Sequence, residues 1–391
     1  MPSTPDRAYQ VAFTDWLACA CAGADQRAAR AMRAVGDDLI TDVAFAGTAG
    51  HVLDFDDTFS DGVAHVSAAC APAALVVAAR LGLSLRAALD AYAEGFEAMA
   101  AVAQASHPAL YDAGWHPTAV CGPIGAAVVS ARLLGLAAAG REHAVALALL
   151  RAGGTRGPFG SDGKAIQVGL AAAAGVQAAL LAQAGATVDP RAIHGPLGFE
   201  AVLGATWAAP DTTGRRRAID RNWIKLYPSC LGTHSPIELA AGARTSGTGL
   251  DGERIEVVVD PVGRQAAHLD IVDDALSAKF SIAYCVAHTL IHGEPGVGDF
   301  ASVDAAARER SRGIELHVDR SLPQFGAVLR VAGSELGRVP CPRGAPDRPA
   351  AAEDLAGKLS DLAGGRLDGL LDDLDAPAGD ALDVADLRPR Q

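Results

Sequence analysis

The sequence predicts a mainly α fold: an all-helical bundle domain interrupted by a smaller α+β lid domain. Three observations carry this. Half of the residues are apolar, only 5% are aromatic, and alanine and glycine dominate. That composition favours close-packed helices with small residues at their contacts over a β-sandwich. Apolar residues recur every three or four positions through much of the chain before Asn222. Beyond it, short runs rich in Val, Ile and Leu take over. The chain has 391 residues, enough for two domains and a substantial core.

In order, Thr14 to Val35 reads as an Ala-rich helix. The stretch His51 to His65, HVLDFDDTFSDGVAH, reads as helical, with His51, Asp54 and Thr58 on one face and Asp56 and Asp57 pointing elsewhere. It is equally compatible with a solvated acidic helix end. His65 to Leu83 is an apolar helix. Ser84 is placed to cap the next, where Leu85, Leu89, Tyr92, Phe96 and Met99 form a core stripe. Ser106 to Trp115 reads as a loop, and His116-Pro117-Thr118 heads another helix. Arg141 to Leu150 is helical, Gly153 to Gly163 is a glycine-rich loop, and an uncharged helix follows Lys164. Strands are expected at Arg254 to Asp260, Gly313 to Asp319 and Gly326 to Ala332, with a helix from Asp274 to His292. A Pro-rich linker runs from Pro340 to Pro349. The domains predicted are 1–222 (helical), 223–345 (α+β lid) and 346–391 (return to the helices).

The formal charge is −13 and no Lys/Arg-rich run occurs, which argues against a nucleic-acid partner. Seven cysteines are scattered without a CxxC pair, so neither a zinc ribbon nor an iron–sulfur cluster is supported. An odd cysteine count and no basic-plus-apolar start lead to the expectation of a cytoplasmic protein. Ala165 to Val188 is long enough to cross a bilayer, but it carries Gln167, Gln177 and Gln183 and is expected to be a buried core helix, not a membrane span. Only four lysines occur, Lys164, Lys225, Lys279 and Lys358, and the other basic charge is arginine.

Three stretches could carry chemistry. The glycine-rich loop fails as a P-loop, because Pro158 occupies it and Ala165 follows Lys164. It remains suited to an anion such as a carboxylate, or to a plain connector. Trp223 to Glu238 places Lys225, Tyr227, Ser229, Cys230 and His234 on the approach to a helix, with Ser235 as expected N-cap, Pro236 first and Glu238 completing a capping box. On the helix from Asp274, Ser277, Ser281, Tyr284 and His288 make a polar stripe that either serves a site or satisfies itself; Lys279 lies off it.

HVLDFDDT, His65-Val66-Ser67, GWHPTAV, GSDGKAIQVG, KLYPSCLGTH and AKFSIAYCVAHTLIHG occur in this order. Together they resemble the MmgE/PrpD family, whose members include 2-methylcitrate dehydratases, cis-aconitate decarboxylases and iminodisuccinate epimerases. The resemblance implies an active site at Asp54, Thr58, His65, His116, Lys164, Lys225 and Tyr284. It also implies catalysis without metal or organic cofactor, and a homodimer. The chain departs from the family at Gln167, where many relatives carry histidine.

The expected function is therefore a cofactor-independent lyase of the dehydratase type, acting on a small di- or tricarboxylic acid by proton abstraction next to a carboxylate. His116 or Asp54 would be the base and Tyr284 or His65 the proton donor. Thr58, Lys164, Lys225 and His234 would bind substrate, since local cations must overcome the net acidic charge. Epimerisation or decarboxylation of a polycarboxylate at the same site is the alternative. A magnesium-dependent isoprenoid synthase, suggested by Asp54 to Asp57 with Asp372, Asp373 and Asp375, conflicts with the strands. A non-catalytic helical scaffold is the remaining alternative.

Overall fold

Small residues decide how closely the helices of this protein approach one another. The computed structural model describes residues 6–189, 191–211, 213–247 and 252–387. Its first part contains α1 (Arg7–Gly23), α2 (Arg27–Arg33), α3 (Leu39–His51), β1 (Thr58–Phe59), α4 (Val66–Arg80), α5 (Leu85–Ser106), α6 (Ala109–Asp112), α7 (Pro117–Leu133), α8 (Ala138–Ala148), α9 (Asp162–Gln183), α10 (Arg191–His194) and α11 (Phe199–Leu203). Then follow β2 (Asn222–Trp223), α12 (His234–Thr245), β3 (Ile255–Val259), α13 (Pro261–Ala266), α14 (Ala275–Ala278), α15 (Ile282–His292), α16 (Ala305–Ser311), β4 (Ile314–Val318), β5 (Ala327–Val331), β6 (Ser334–Val339), α17 (Ala352–Ala363) and α18 (Ala378–Val384). The fold is mainly α.

Helix α9 is the hub of the first part, packing against α3, α4, α7 and α8. It is long and apolar enough to cross a membrane by length and composition alone, but most of its surface is buried against these neighbours. Close approach depends on glycine. A Cβ on Gly169 would collide with the Ala44 carbonyl and the Thr48 hydroxyl, and one on Gly47 would reach within 3.0 Å of the Gly169 Cα. The apolar faces of α17 and α18 supply Leu362, Ala381 and Leu382 to this same core. A second core joins Ile237 of α12, Val257 of β3, Ile282 and Val286 of α15, and Leu329 of β5.

The sheet runs β4-β3-β5-β6, with β3 parallel to β4 and antiparallel to β5, and β5 antiparallel to β6. The parallel pair requires the long crossover through α13 to α16. The three expected strands are present. β6 was not expected because its sequence, SELGRV, lies at the edge, mostly exposed, and has no apolar run. A two-residue ladder pairs Thr58 with Trp223 and Phe59 with Asn222, tying the two parts of the chain together.

Five expectations need correction, the first being the loop expected from Ser106 to Trp115, which contains the one-turn helix α6. The single helix over Thr14 to Val35 is two helices, with a turn after Gly23. The stretch from His51 to His65 is not a helix: α3 stops at His51, and an irregular turn, β1 and a 3₁₀ turn follow. The expected helix from Asp274 to His292 breaks at residues 279–281, because Ser281 accepts the Tyr284 N–H and caps a new helix. Helix α12 begins at His234, not Pro236. Ser235 donates its hydroxyl to the Phe325 carbonyl, and Glu238 accepts from Arg343 and Arg348, so no capping box forms.

Gly169→Ala is expected to destabilise the fold by roughly 1–3 kcal/mol through overpacking. Urea unfolding measures this. An unchanged midpoint would mean that α3 and α9 can part without penalty.

Candidate active site

The site is built on the turn after α3. Asp54 adopts φ 53°, a left-handed conformation that side chains other than glycine rarely take. This reverses the chain and points the carbonyls of residues 53–55 and the Asp54 carboxylate inward. All four lysines of the chain converge there. Lys164, in the first turn of α9, donates to Asp54 Oδ1 at 2.6 Å and to His51 Nε2 at 2.8 Å. Lys225 donates to the Asp54 carbonyl, and its Nζ lies 3.3 Å from Asp54 Oδ2. That second contact is an ion pair without hydrogen-bond alignment, so Oδ2 is otherwise unpartnered. Lys279 donates to the Leu53 carbonyl at 2.6 Å. Lys358, from α17, donates to the carbonyls of Phe55 and Lys225 at 2.8 and 2.9 Å and pairs with Asp15 at 2.5 Å. Hydrogen bonds to charged groups are each worth about 1.5–3 kcal/mol net, enough to hold a turn strained by about 1–2 kcal/mol.

Beside the turn, Asp56 accepts from His51 Nδ1 at 2.9 Å and lies 3.1 Å from His65 Nδ1. His65 Nδ1 also lies 3.0 Å from the Asp57 carbonyl and 3.3 Å from Thr58 Oγ1. A carbonyl can only accept, so His65 carries a proton on Nδ1, and in the neutral ring the lone pair is on Nε2. Nε2 makes no hydrogen bond among the described residues. The His51 and His65 rings are 4.5 Å apart, and His116 stacks 6.1 Å from His51. His116 follows the loop where Trp115 bridges to Thr155, and its Nδ1 lies 2.8 Å from Gln167 Nε2.

Asp54, Thr58, His65, His116 and Lys164 line one small cavity of about 40 Å3. Aromatic and aliphatic groups complete it, including Tyr111 and Phe159 from the first part, and Leu231, Phe280 and Phe325 from the second. Larger hollows of about 710 and 600 Å3 are open surface grooves. Of the four arginines that line the first, Arg217 is paired with Asp6 and Asp220 and Arg221 with Asp61, and Arg215 and Arg216 are the other two. Among the described residues, the small cavity gathers histidine, lysine and aspartate against mainly apolar walls.

Burial dominates the electrostatics. It pushes His51 down to about 4 against the pull of Asp56, and the Lys164 ammonium adds to the effect. Burial, helped by Lys164, also holds His116 well below the usual imidazole range, so its ring stays neutral. Burial would raise Asp54, but Lys164 and Lys225 outweigh it and hold the carboxyl well below its usual range. Burial lowers Lys279 to about 8.

Two expected site residues, Tyr284 and His234, lie elsewhere, and Lys225 reaches Asp54 without lining the cavity. Tyr284 is buried in the second core, and its hydroxyl accepts the Asp304 N–H at 2.9 Å. Tyr284 was expected here from the family resemblance; the break before α15 also dissolves the polar stripe around it, with Ser277 in the Asp274 capping box and Ser281 capping α15. His234 bonds the Ser229 carbonyl at 3.2 Å and stacks edge-on against Tyr227. Lys225 is fully buried beneath Asp54 and supports it from behind the cavity wall. Conversely, Asp56 does not point away: with His51 it backs His65. Lys279 and Lys358 drew no role from their local sequence. Their signal was scarcity, since a chain that otherwise uses arginine keeps its few lysines for buried, compact donors.

His51, Asp56 and His65 bring ligand atoms within 4.8 Å of one another, a spacing a divalent ion could use. Those atoms already bond each other, and Lys164 lies 2.8 Å from His51. A cation there would have to break these contacts and face a like charge.

Residues 38–210 match the MmgE/PrpD N-terminal domain and residues 227–372 the MmgE/PrpD C-terminal domain. The chain belongs to the MmgE/PrpD family. It is 29% identical to cis-aconitate decarboxylase from Homo sapiens over 214 residues, which is 51% of this chain and 43% of that protein. It is 27% identical to cis-aconitate decarboxylase from Mus musculus over 280 residues, 66% of this chain and 55% of the other. The chain thus spans about half the length of these curated relatives.

The buried histidines make the fold acid-labile. Unfolding returns His51 from about 4 to an ordinary 6.5, so the unfolded chain binds more protons between those values and stability falls as pH falls through that window. From pH 7 to 5, His51 alone contributes a loss on the order of 2 kcal/mol. His116 and His234 shift in the same direction. Urea midpoints measured between pH 7 and 5 should decline steadily; a flat profile would show that these rings are protonated in the fold.

Proposed function

We propose that this protein is a lyase acting on a small di- or tricarboxylic acid by moving a proton at a carbon next to a carboxylate. The observation that carries the reading is the pairing of His65 with Lys164 in one cavity. In the neutral His65 ring the proton sits on Nδ1, facing Asp56 and the Asp57 carbonyl, so the Nε2 lone pair is the one open to a substrate. Lys164 has three N–H groups and spends two on Asp54 and His51, leaving one for substrate.

In the dehydration reading, His65 Nε2 takes the proton from the carbon beside the carboxylate. The electron pair moves toward that carboxylate, whose oxygen is held by the third N–H of Lys164. The β-hydroxyl then leaves with the proton returned by the His65 imidazolium, releasing water and an unsaturated acid. Asp54 is not the base: its carboxyl is held ionised by two ammoniums, which makes it a weak proton acceptor. A second reading, decarboxylation, is favoured by the similarity to cis-aconitate decarboxylases. There, carbon dioxide leaves, the electron pair remains on carbon, and an imidazolium at His65 supplies the proton.

A volume of about 40 Å3 holds water but no tricarboxylic acid. The walls come from both parts of the chain, so a shift of the sheet-bearing part away from the helices would widen the site for a substrate.

The test is turnover of a panel of di- and tricarboxylic acids, cis-aconitate included, with products identified by mass. His65→Asn should lower kcat on the order of 10²–10⁴-fold, the usual contribution of a positioned acid–base group. Lys164→Met should lower it on the order of 10²–10³-fold, as loss of one oxyanion donor does. Folded variants that keep the wild-type rate would refute the assignment. Release of carbon dioxide rather than water would select the second reading.

A further inference from the structure

His116 faces the same cavity, and the residue behind it is Gln167. We infer that Gln167 is a positioning residue that fixes His116 as the Nε2–H tautomer, so that His116 presents a neutral hydrogen-bond donor to the substrate and not a base. The clamp rests on main chain. The Thr155 N–H donates to Gln167 Oε1 at 3.2 Å, and Gln167 Nε2 donates to the Thr155 carbonyl at 3.1 Å. These two bonds decide which end of the amide is oxygen and which is nitrogen. The nitrogen end, with one N–H left, lies 2.8 Å from His116 Nδ1. That ring nitrogen must therefore accept, and the imidazole proton resides on Nε2.

The surrounding backbone is shaped for this contact. The His116 N–H donates to the Gly154 carbonyl and the Arg156 N–H to the Gly114 carbonyl, bracketing the bridge between Trp115 and Thr155. Gly154 has φ 109°, and a Cβ there would come within 2.6 Å of Ala119 and 2.8 Å of Gln167 Oε1. A side chain at this position would push the amide off its clamp. His116 is further surrounded by the His51 ring, the edge of Phe159 at 5.0 Å, and the charges of Lys164 and Asp54. A neutral imidazole with its proton aimed at developing negative charge stabilises an enolate-like intermediate without giving the proton away. This extends the proton-transfer reading above: His65 moves the proton, Lys164 and His116 hold the charge.

Nitrogen-15 NMR of the full chain labelled at its histidines, without substrate, tests the clamp independently of turnover. The His116 signals are assigned by their loss in His116→Asn. In the wild type, Nδ1 should appear as an unprotonated acceptor and Nε2 as protonated. In Gln167→Glu, where a carboxylate now asks for a donor, Nδ1 should become protonated and kcat should fall about tenfold or more. In Gln167→Leu, the two nitrogens should shift toward tautomer-averaged values. A wild-type Nδ1 that carries the proton, or nitrogen signals unchanged in folded Gln167→Leu, would overturn the inference. Correct NMR signatures in a chain inactive on every carboxylic acid would instead leave the clamp standing and remove the lyase reading.

Discussion

A turn of three residues, held by ammonium groups from four places in the sequence, is the constraint on which the rest of the structure depends. Residues 53–55 present carbonyls and a carboxylate to the interior in a conformation that is unfavourable alone. Lys164 arrives from α9, Lys225 from the segment after β2, Lys279 from the break before α15, and Lys358 from α17. Removing any one would leave a buried acceptor unpaired, and for Lys164, Lys225 and Lys358, which also pair with a buried carboxylate, truncating one side of such a pair typically destabilises by about 3–5 kcal/mol. The turn is thus the point at which the N-terminal helices, the sheet-bearing segment and the C-terminal helices are electrostatically joined.

The same arrangement serves chemistry. Positive charge sits behind the wall of the cavity and is mostly neutralised by Asp54 and by backbone dipoles. Among the polar groups that reach the cavity are one unspent N–H of Lys164, His65 Nε2, the ring of His116, and Asp54 and Thr58. The walls between them are apolar, so each polar contact to a bound acid acts in a low-dielectric setting and is stronger than in water. A net charge of −13 does not prevent an anion from binding when local donors are enclosed in this way.

Much of the fold was legible because it follows from periodicity. The amphipathic helix after Ser84, the helix headed by His116-Pro117 and three strands of apolar residues all announce themselves in short windows. The misses share one cause, which is that tertiary partners override local pattern. The stretch from His51 to His65 has helical spacing, yet Asp54 is drawn inward by lysines more than a hundred residues away, while Asp56 turns to His51 and His65 and Asp57 to Ser67 and Asn222. Ser281 fits a polar stripe but caps a helix, and with it Tyr284 leaves the candidate site. Asp54, Thr58, His65, His116 and Lys164 were recoverable because they recur in ordered motifs. The support of Lys225, Lys279 and Lys358 to one turn, and of Gln167 to His116, depends on geometry that no local window contains.

The most direct test of this account is hydrogen–deuterium exchange over residues 52–58 in Lys358→Met, a substitution that touches no cavity-lining residue and keeps the side-chain length. If ammonium groups hold the turn, the amides of this segment, including Asp54 N–H on the His51 carbonyl, should exchange at least about tenfold faster than in the wild type, while α5 and α7 keep their protection. Unchanged protection over 52–58 in the folded variant would contradict the claim that the lysines hold the turn.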